Sequence, residues 1–331
     1  MAKAPGAPLG PVPFADVEAG SGLGSGGPEQ LPEEHAYADD LVSALPSAPR
    51  PKGLSSLRLY EGFWLPEWSV PAAVALQRRF EPRRDDVVVA SFPKCGTTWV
   101  NALTRRGEAQ LEALPSPRLM NTHMPLAMMP AGGAGKVVYV CREPKDMVVS
   151  LWHFHRRLHP ELPLADVFES VCGGAVGYGP VWDHIAGYWS ASTARPDAVL
   201  FLRYEELLRD PAGHVRELAR FVGLPFSGAE EDAGVVHDIV NLCSFGHLKT
   251  LEANKTGHMN AGLPIPRDAL FRKGVAGDWV NHITPEMATP GRHRRRQAPC
   301  GRPHLPLVSD STEHTCPVDS TSTLSYFIIL K

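Results

Sequence analysis

Asp86–Trp99 reads DVVVASFPKCGTTW, and the rest of the chain is organised around it. Val87–Ala90 are small or β-branched and predict a buried strand, which Ser91, Phe92 and Pro93 end. Lys94, Cys95, Gly96, Thr97 and Thr98 then make a tight turn that opens onto a helix at Trp99. A strand, a glycine turn and a helix N-terminus aim several unpaired backbone N–H groups at one point, which suits an anion. Lys94 adds a mobile cation, and Thr97 and Thr98 add hydroxyl donors. Taken as a bare G-T-T, the same stretch is equally an ordinary strand-to-helix turn with a surface lysine. The G-x-x-x-x-G-K-[ST] spacing of a Walker A loop is absent.

The chain has 331 residues and a formal net charge of −3, room for one large α/β core or two modest domains. Near-neutrality gives no global electrostatic case for nucleic acid or a membrane surface as partner. Cys95, Cys141, Cys172, Cys243, Cys300 and Cys316 lack metal-ligand or disulfide spacing, and no metal is expected. Met1–Gly24 has neither a basic segment nor an apolar one of secretory type, and no apolar run reaches membrane-spanning length. The expectation is a soluble, cytoplasmic protein with free thiols.

Residues 1–50 are rich in Pro, Gly, Ala and Ser and read as a disordered extension, with a short helix near Tyr37–Leu45. Order is expected from about Leu57, and a folded domain over residues 55–287. Leu59–Trp64 is aromatic-dense; Phe63 and Trp64 read either as a plug against the sheet or as part of an aromatic acceptor pocket. Helices are predicted at Pro71–Phe80, Thr98–Ala113, Pro144–His155, Val181–Ser190 and Gly213–Leu224. Strands are predicted at Leu119–Thr122, Lys136–Cys141 and Ala198–Leu202. Strands alternating with helices indicate an α/β fold, a single domain with a central parallel sheet flanked by helices. Beyond Glu286 the composition changes: Arg292–Arg296 is basic, and residues 288–331 read as an atypical, disordered tail.

Two more loops carry cations. Arg142 follows a strand, and Ser150 lies eight residues later across the first turns of a helix. A planar guanidinium fork and a hydroxyl suit phosphate oxygens. Arg272-Lys273-Gly274 sets two cations beside glycines that permit close backbone approach, the makings of an anion nest. His123 follows the Leu119–Thr122 strand, and a histidine is the side chain best suited to take a hydroxyl proton near neutral pH.

These motifs resemble the cytosolic sulfotransferases, the plant branch in particular. P-K-C-G-T-T-W is similar to the family's 5′-phosphosulfate loop, P-K-S-G-T-T-W, with Cys95 in place of serine. C-R-E-P-K-D-M-V-V-S, P-R-L-M-N-T-H-M-P and R-K-G-V-A-G-D-W match further family elements in the family's order, and Y-E-G-F-W resembles plant members. The resemblance implies a P-loop-like core that binds 3′-phosphoadenosine 5′-phosphosulfate (PAPS). Lys94, Cys95, Gly96, Thr97 and Thr98 would then surround the phosphosulfate. Arg142, Ser150, Arg272, Lys273 and Gly274 would take the 3′-phosphate. Trp99 and Tyr204 would contact adenine, with Ser244, Phe245 and Leu248 closing the nucleotide side. His123 would be the general base, Lys94 would steady the leaving oxygen, and Phe63, Trp64 and Phe154 would line the acceptor pocket. The implied acceptor is a small hydroxylated molecule such as a flavonoid, phenol or steroid, and the implied protein a monomer or weak dimer.

Departures from the family pattern leave a second reading open. The stretch between Trp99 and Thr122 is shorter than in the family, the final helix is missing, and of the dimer motif only Thr284 is kept. An active enzyme and a PAPS-binding homologue with impaired catalysis therefore both fit. An unrelated P-loop kinase is disfavoured by the missing Walker spacing.

Overall fold

The computed structural model describes residues 40–51, 54–95, 116–130, 135–260 and 263–288. The predicted Thr98–Ala113 helix, the loop residues Gly96, Thr97, Thr98 and Trp99, and the tail from 289 lie outside them. The described chain enters through an antiparallel hairpin, β1 (Leu57–Tyr60) and β2 (Phe63–Pro66). Glu61 and Gly62 turn it with φ of 49° and 86°, the pair of positive values that matches strand twist in a two-residue hairpin. Packing reaches ahead of Leu57: residues 40–44 are helical, Val42 is buried, and the Leu59 N–H donates to the Pro46 carbonyl at 2.9 Å. The helix α1 (Val70–Arg79) follows, with proline in its first turn.

The centre is a parallel sheet in the order β4-β3-β5-β6, formed by β3 (Val87–Ser91), β4 (Leu119–Thr122), β5 (Lys136–Cys141) and β6 (Val199–Arg203). Register pairs Val87 with both Leu119 and Lys136, and Val137 with Val199. The strand alternation sorts side chains to two covered faces. Val88, Ala90, Val137, Tyr139 and Cys141 pack with Tyr188. Val138 and Leu202 pack with Leu207, Leu208 and Leu218 on the other face. The first face is covered by α4 (Val181–Ala194), which follows α2 (Pro144–His155) and α3 (Leu164–Cys172) along the chain. The second is covered by α5 (Tyr204–Arg209) and α6 (Pro211–Phe221).

β5 and α2 have the predicted bounds. A β-branched run makes β5, and Pro144 at the first helical position starts α2, with the Glu143 carboxylate accepting from the Lys145 N–H at 3.3 Å. Three helices differ from their predicted ranges, α1 by one residue at each end. α4 runs on to Ala194, because no breaker precedes Pro196, and α6 starts earlier, at Pro211, where the Asp210 side chain accepts from the Gly213 N–H.

The amino edge of the sheet is pinned by charge. Asp86, just before β3, and Arg118, just before β4, are fully buried and joined by two contacts of 2.7 and 2.6 Å. Arg118 also donates to the Glu81 carbonyl and stacks over the Phe80 ring. That leaves the carboxyl edge, where loops leave all four strands, as the place for ligands in an open parallel sheet. No helix among the described residues is long and apolar enough to cross a membrane.

Candidate active site

Three strand ends deliver the predicted chemistry to one edge. After β3 the chain turns at Pro93-Lys94-Cys95, where the Cys95 N–H donates to the Phe92 carbonyl at 3.2 Å and Lys94 takes a φ of 68°. A positive φ on a residue with a side chain is strain held by its surroundings, and such strain gathers at functional sites. The turn sends Cys95 inward, 1% exposed, beside Phe92, Met147 and Val148, and burial pushes its thiol pKa far up. Lys94 goes the other way, its ammonium 4.2 Å from the centroid of the Phe154 ring.

Lys94 sits among cations. Burial, and then the Arg142 and Arg272 guanidiniums, pull its pKa down from 10.5 to about 7. An ammonium near two guanidiniums is the kind of surrounding that suits an anion. Arg142 follows β5, and its Cζ lies over the Tyr204 ring, 4.5 Å from the centroid. Its Nη2 donates to the Val275 carbonyl at 2.9 Å and its Nη1 reaches the Lys94 carbonyl at 3.4 Å. Its buried Nε has no partner among the described residues. One arginine thus ties together the loops after β3 and β5, the start of α5, and the loop that carries Arg272.

That last loop is clasped to α2. Asp146, 1% exposed, accepts from the Gly277 N–H at 2.6 Å and the Trp279 N–H at 2.9 Å, and the Lys145 ammonium lies over the Trp279 ring. Gly274 has a φ of 69°, and a Cβ there would come within 2.6 Å of the Phe245 ring, so only glycine fits. Phe245 packs with Leu248 and Phe271. The Ser244 hydroxyl caps the helix of Phe245–Thr250, accepting from the His247 N–H at 3.2 Å. Ser150, half-buried, lies one turn beyond Asp146 on α2.

His123 leaves β4 beside this cluster. Its Nδ1 is 2.9 Å from the Ser91 carbonyl oxygen, which can only accept, so Nδ1 carries the proton and Nε2 is a bare acceptor. Burial lowers its pKa from 6.5, and nearby Lys94 lowers it further, so the ring is neutral at physiological pH. Its backbone is held from α4: His184 Nε2 lies 3.0 Å from the His123 carbonyl, and the Tyr188 hydroxyl donates to the Met124 carbonyl at 2.8 Å.

The aromatic pair predicted for the acceptor side separates. Phe63 is core, 7% exposed among Val70, Val74, Met124 and Met128. Trp64 is half-buried, and its backbone bridges to the loop after α3: its N–H donates to Gly179, and its carbonyl accepts from Tyr178. This bridge sets Tyr178, in a left-handed conformation with φ 67°, 5.5 Å from the His123 ring. Sequence reasoning missed Tyr178, Asp146, Asp278 and His184. The acids stood in plain view inside quoted motifs, whereas nothing local in the sequence marks Tyr178.

Comparison with known proteins gives the family. The family model described as a sulfotransferase domain matches residues 104–290. Cytosolic sulfotransferase 1 of Arabidopsis thaliana is 38% identical over 296 residues, which cover 75% of this chain and 88% of that protein. The flavonol 4′-sulfotransferase of Flaveria chlorifolia is 37% identical over 275 residues, covering 71% and 86%. Among solved structures, a mouse sulfotransferase complexed with PAP superposes with a TM-score of 0.58 at 27% identity, covering 70% of this chain and 89% of that one. With a parallel sheet whose carboxyl edge gathers lysine, arginine and a neutral histidine, and with relatives matched over most of their length, the chain belongs to the sulfotransferase family.

Proposed function

We propose that the protein moves the sulfuryl group of PAPS to a hydroxyl of a small acceptor, a flavonoid, phenol or steroid. The observation that carries the reading is one strand edge that gathers Lys94, Arg142, tied by its two Nη groups to the Lys94 and Val275 carbonyls, and His123 with its Nδ1 on the Ser91 carbonyl. The relatives named for flavonol sulfation and for a PAP complex support the same pair of substrates. The relative's description as cytosolic supports a cytoplasmic protein.

His123 accepts the acceptor's hydroxyl proton at Nε2, while its Nδ1–H stays on Ser91. The freed oxygen attacks sulfur in line, the bond from sulfur to the bridging phosphate oxygen breaks, and Lys94 neutralises the charge that gathers on that oxygen. Arg142, Arg272 and Lys273 hold the 3′-phosphate, with Ser150 as a further donor and Gly274 permitting close approach. Tyr204, buried beneath Arg142, is an adenine contact by family resemblance, and Phe245 and Leu248 close that side. Gly96, Thr97, Thr98 and Trp99 complete the phosphosulfate loop by family resemblance. Phe154 and Trp64 wall the acceptor, and Tyr178 joins them opposite His123.

Transfer of labelled sulfate from PAPS to a panel of phenols, flavonols and steroids tests this. Turnover with at least one class is the expected result. Binding of adenosine 3′,5′-bisphosphate without transfer to any would instead favour an impaired, nucleotide-binding homologue, the reading the short stretch between Trp99 and Thr122 supports.

A further inference from the structure

Arg272 and Lys273 do not stand free in the site. Arg272 Nη1 lies 2.6 Å from Asp278 Oδ2, and Lys273 Nζ lies 2.6 Å from Asp278 Oδ1. Asp278 is 4% exposed and is itself held from several sides. Asn281 Nδ2 donates to Oδ1 at 3.1 Å, and His282 Nε2 lies 3.3 Å from Oδ2. Its two sequence neighbours, Gly277 and Trp279, are the residues whose N–H groups Asp146 clasps. The carboxylate is therefore fixed relative to α2, the helix that also carries Ser150.

A carboxylate beside cations meant for a phosphate looks self-defeating on charge alone. Geometry reverses that judgement. Each cation spends one N–H on the carboxylate, Arg272 on Oδ2 and Lys273 on Oδ1. The remaining guanidinium and ammonium donors are left for a ligand, on side chains that no longer have to be ordered when it arrives. The carboxylate also offsets the repulsion between two adjacent cations and the Lys94–Arg142 pair beyond them. It does not pick up a proton in the working range, since its donors hold its pKa far below the usual carboxylate value.

We propose that Asp278 is a positioning residue for nucleotide recognition: it preorganises Arg272 and Lys273 for the 3′-phosphate, and so sets preference for a 3′-phosphorylated nucleotide. The inference rests on the reading of those two cations as 3′-phosphate ligands.

The test is calorimetric affinity for adenosine 3′,5′-bisphosphate and for adenosine 5′-phosphosulfate, which lacks the 3′-phosphate. Wild type, Asp278→Asn, Arg272→Gln and the double variant are compared in the full chain. Asp278→Asn should lose tenfold or more in affinity for the bisphosphate and less than twofold for the phosphosulfate. The double variant should add no more than about twofold to Arg272→Gln, because both changes remove one coupled unit. A residue that merely supports the fold would weaken both nucleotides equally, and that result overturns the inference. A wild type without preference for the bisphosphate overturns the underlying 3′-phosphate reading, and this inference with it. A wild type that prefers it while Asp278→Asn keeps the whole preference overturns this inference alone. Should Asp278→Asn fail to fold, Asn281→Ala carries the test, since that exposed residue orients the same carboxylate. A two- to fivefold smaller preference supports the inference, and an unchanged one overturns it.

Discussion

The imidazole of His123 donates from Nδ1 to the carbonyl of Ser91 at 2.9 Å, across the β3–β4 pair. That contact selects the tautomer. Since the carbonyl cannot donate, the lone pair must be on Nε2, and the depressed pKa keeps it available.

His123→Ala is accordingly expected to lower turnover by ~10²–10⁴-fold, the range for a lost general base. Affinity for adenosine 3′,5′-bisphosphate should hardly move. In the wild type, kcat/KM should fall on the acid side only below the ordinary imidazole value of 6.5, where the ring begins to hold a second proton. Near-normal turnover in the alanine variant would refute the assignment.

In the proposed site, the depressed Lys94 would make nucleotide binding a proton-linked event. With its pKa at about 7, part of the population is neutral at pH 7.5, and an incoming polyanion restores the cation by drawing the pKa back up. Binding at that pH should take up a fraction of a proton, read from calorimetry in buffers of different ionisation enthalpy. The unliganded fold carries the opposite sign. A lysine depressed in the folded state makes stability rise with pH between about 7 and 10.5, and a saturating bisphosphate should flatten that rise. Identical binding enthalpies in all buffers would argue against a buried Lys94.

Arg142 has two kinds of partner, and its removal should show both. Arg142→Ala is expected to weaken bisphosphate binding by ~1.5–3 kcal/mol, the scale of a charged hydrogen bond. A smaller loss for adenosine 5′-phosphosulfate is also expected, because the Val275 and Lys94 carbonyls lose their brace. Equal losses for the two nucleotides would reduce Arg142 to the brace alone.

The ion pair at the opposite edge concerns stability only. Arg118→Leu leaves Asp86 buried with its charge uncompensated and should cost ~3–5 kcal/mol in urea unfolding. Replacing both partners by apolar residues should recover most of that. A double variant as unstable as the single one would show that the pair contributes more than mutual compensation.

The strands and the long helices were legible because their signals are local. Val87–Ala90 and Lys136–Cys141 are β-branched runs between turn residues, and Pro144 announces α2. The motif residues were legible through family resemblance, and the structure sets Lys94, His123, Arg142, Tyr204, Arg272 and Gly274 along one edge. What stayed hidden was pairing at a distance. Asp146 meets Gly277 and Trp279 across more than 130 residues, and Asp86 meets Arg118 across 32. No periodicity encodes such partners. The doubt over Phe63 and Trp64 had the same root. Adjacent residues on a strand face opposite ways, and only the tertiary partner decides which face is core.

Cys95 turns its sulfur to the core and spends its N–H on closing the turn at Phe92, so neither half of the residue faces solvent. A thiol so sheltered is alkylated only when the loop after β3 lifts away from α2. Its rate of labelling, against that of the more accessible Cys172, is then a clock for the opening of the turn at Pro93-Lys94-Cys95, installed in the chain without any engineered probe.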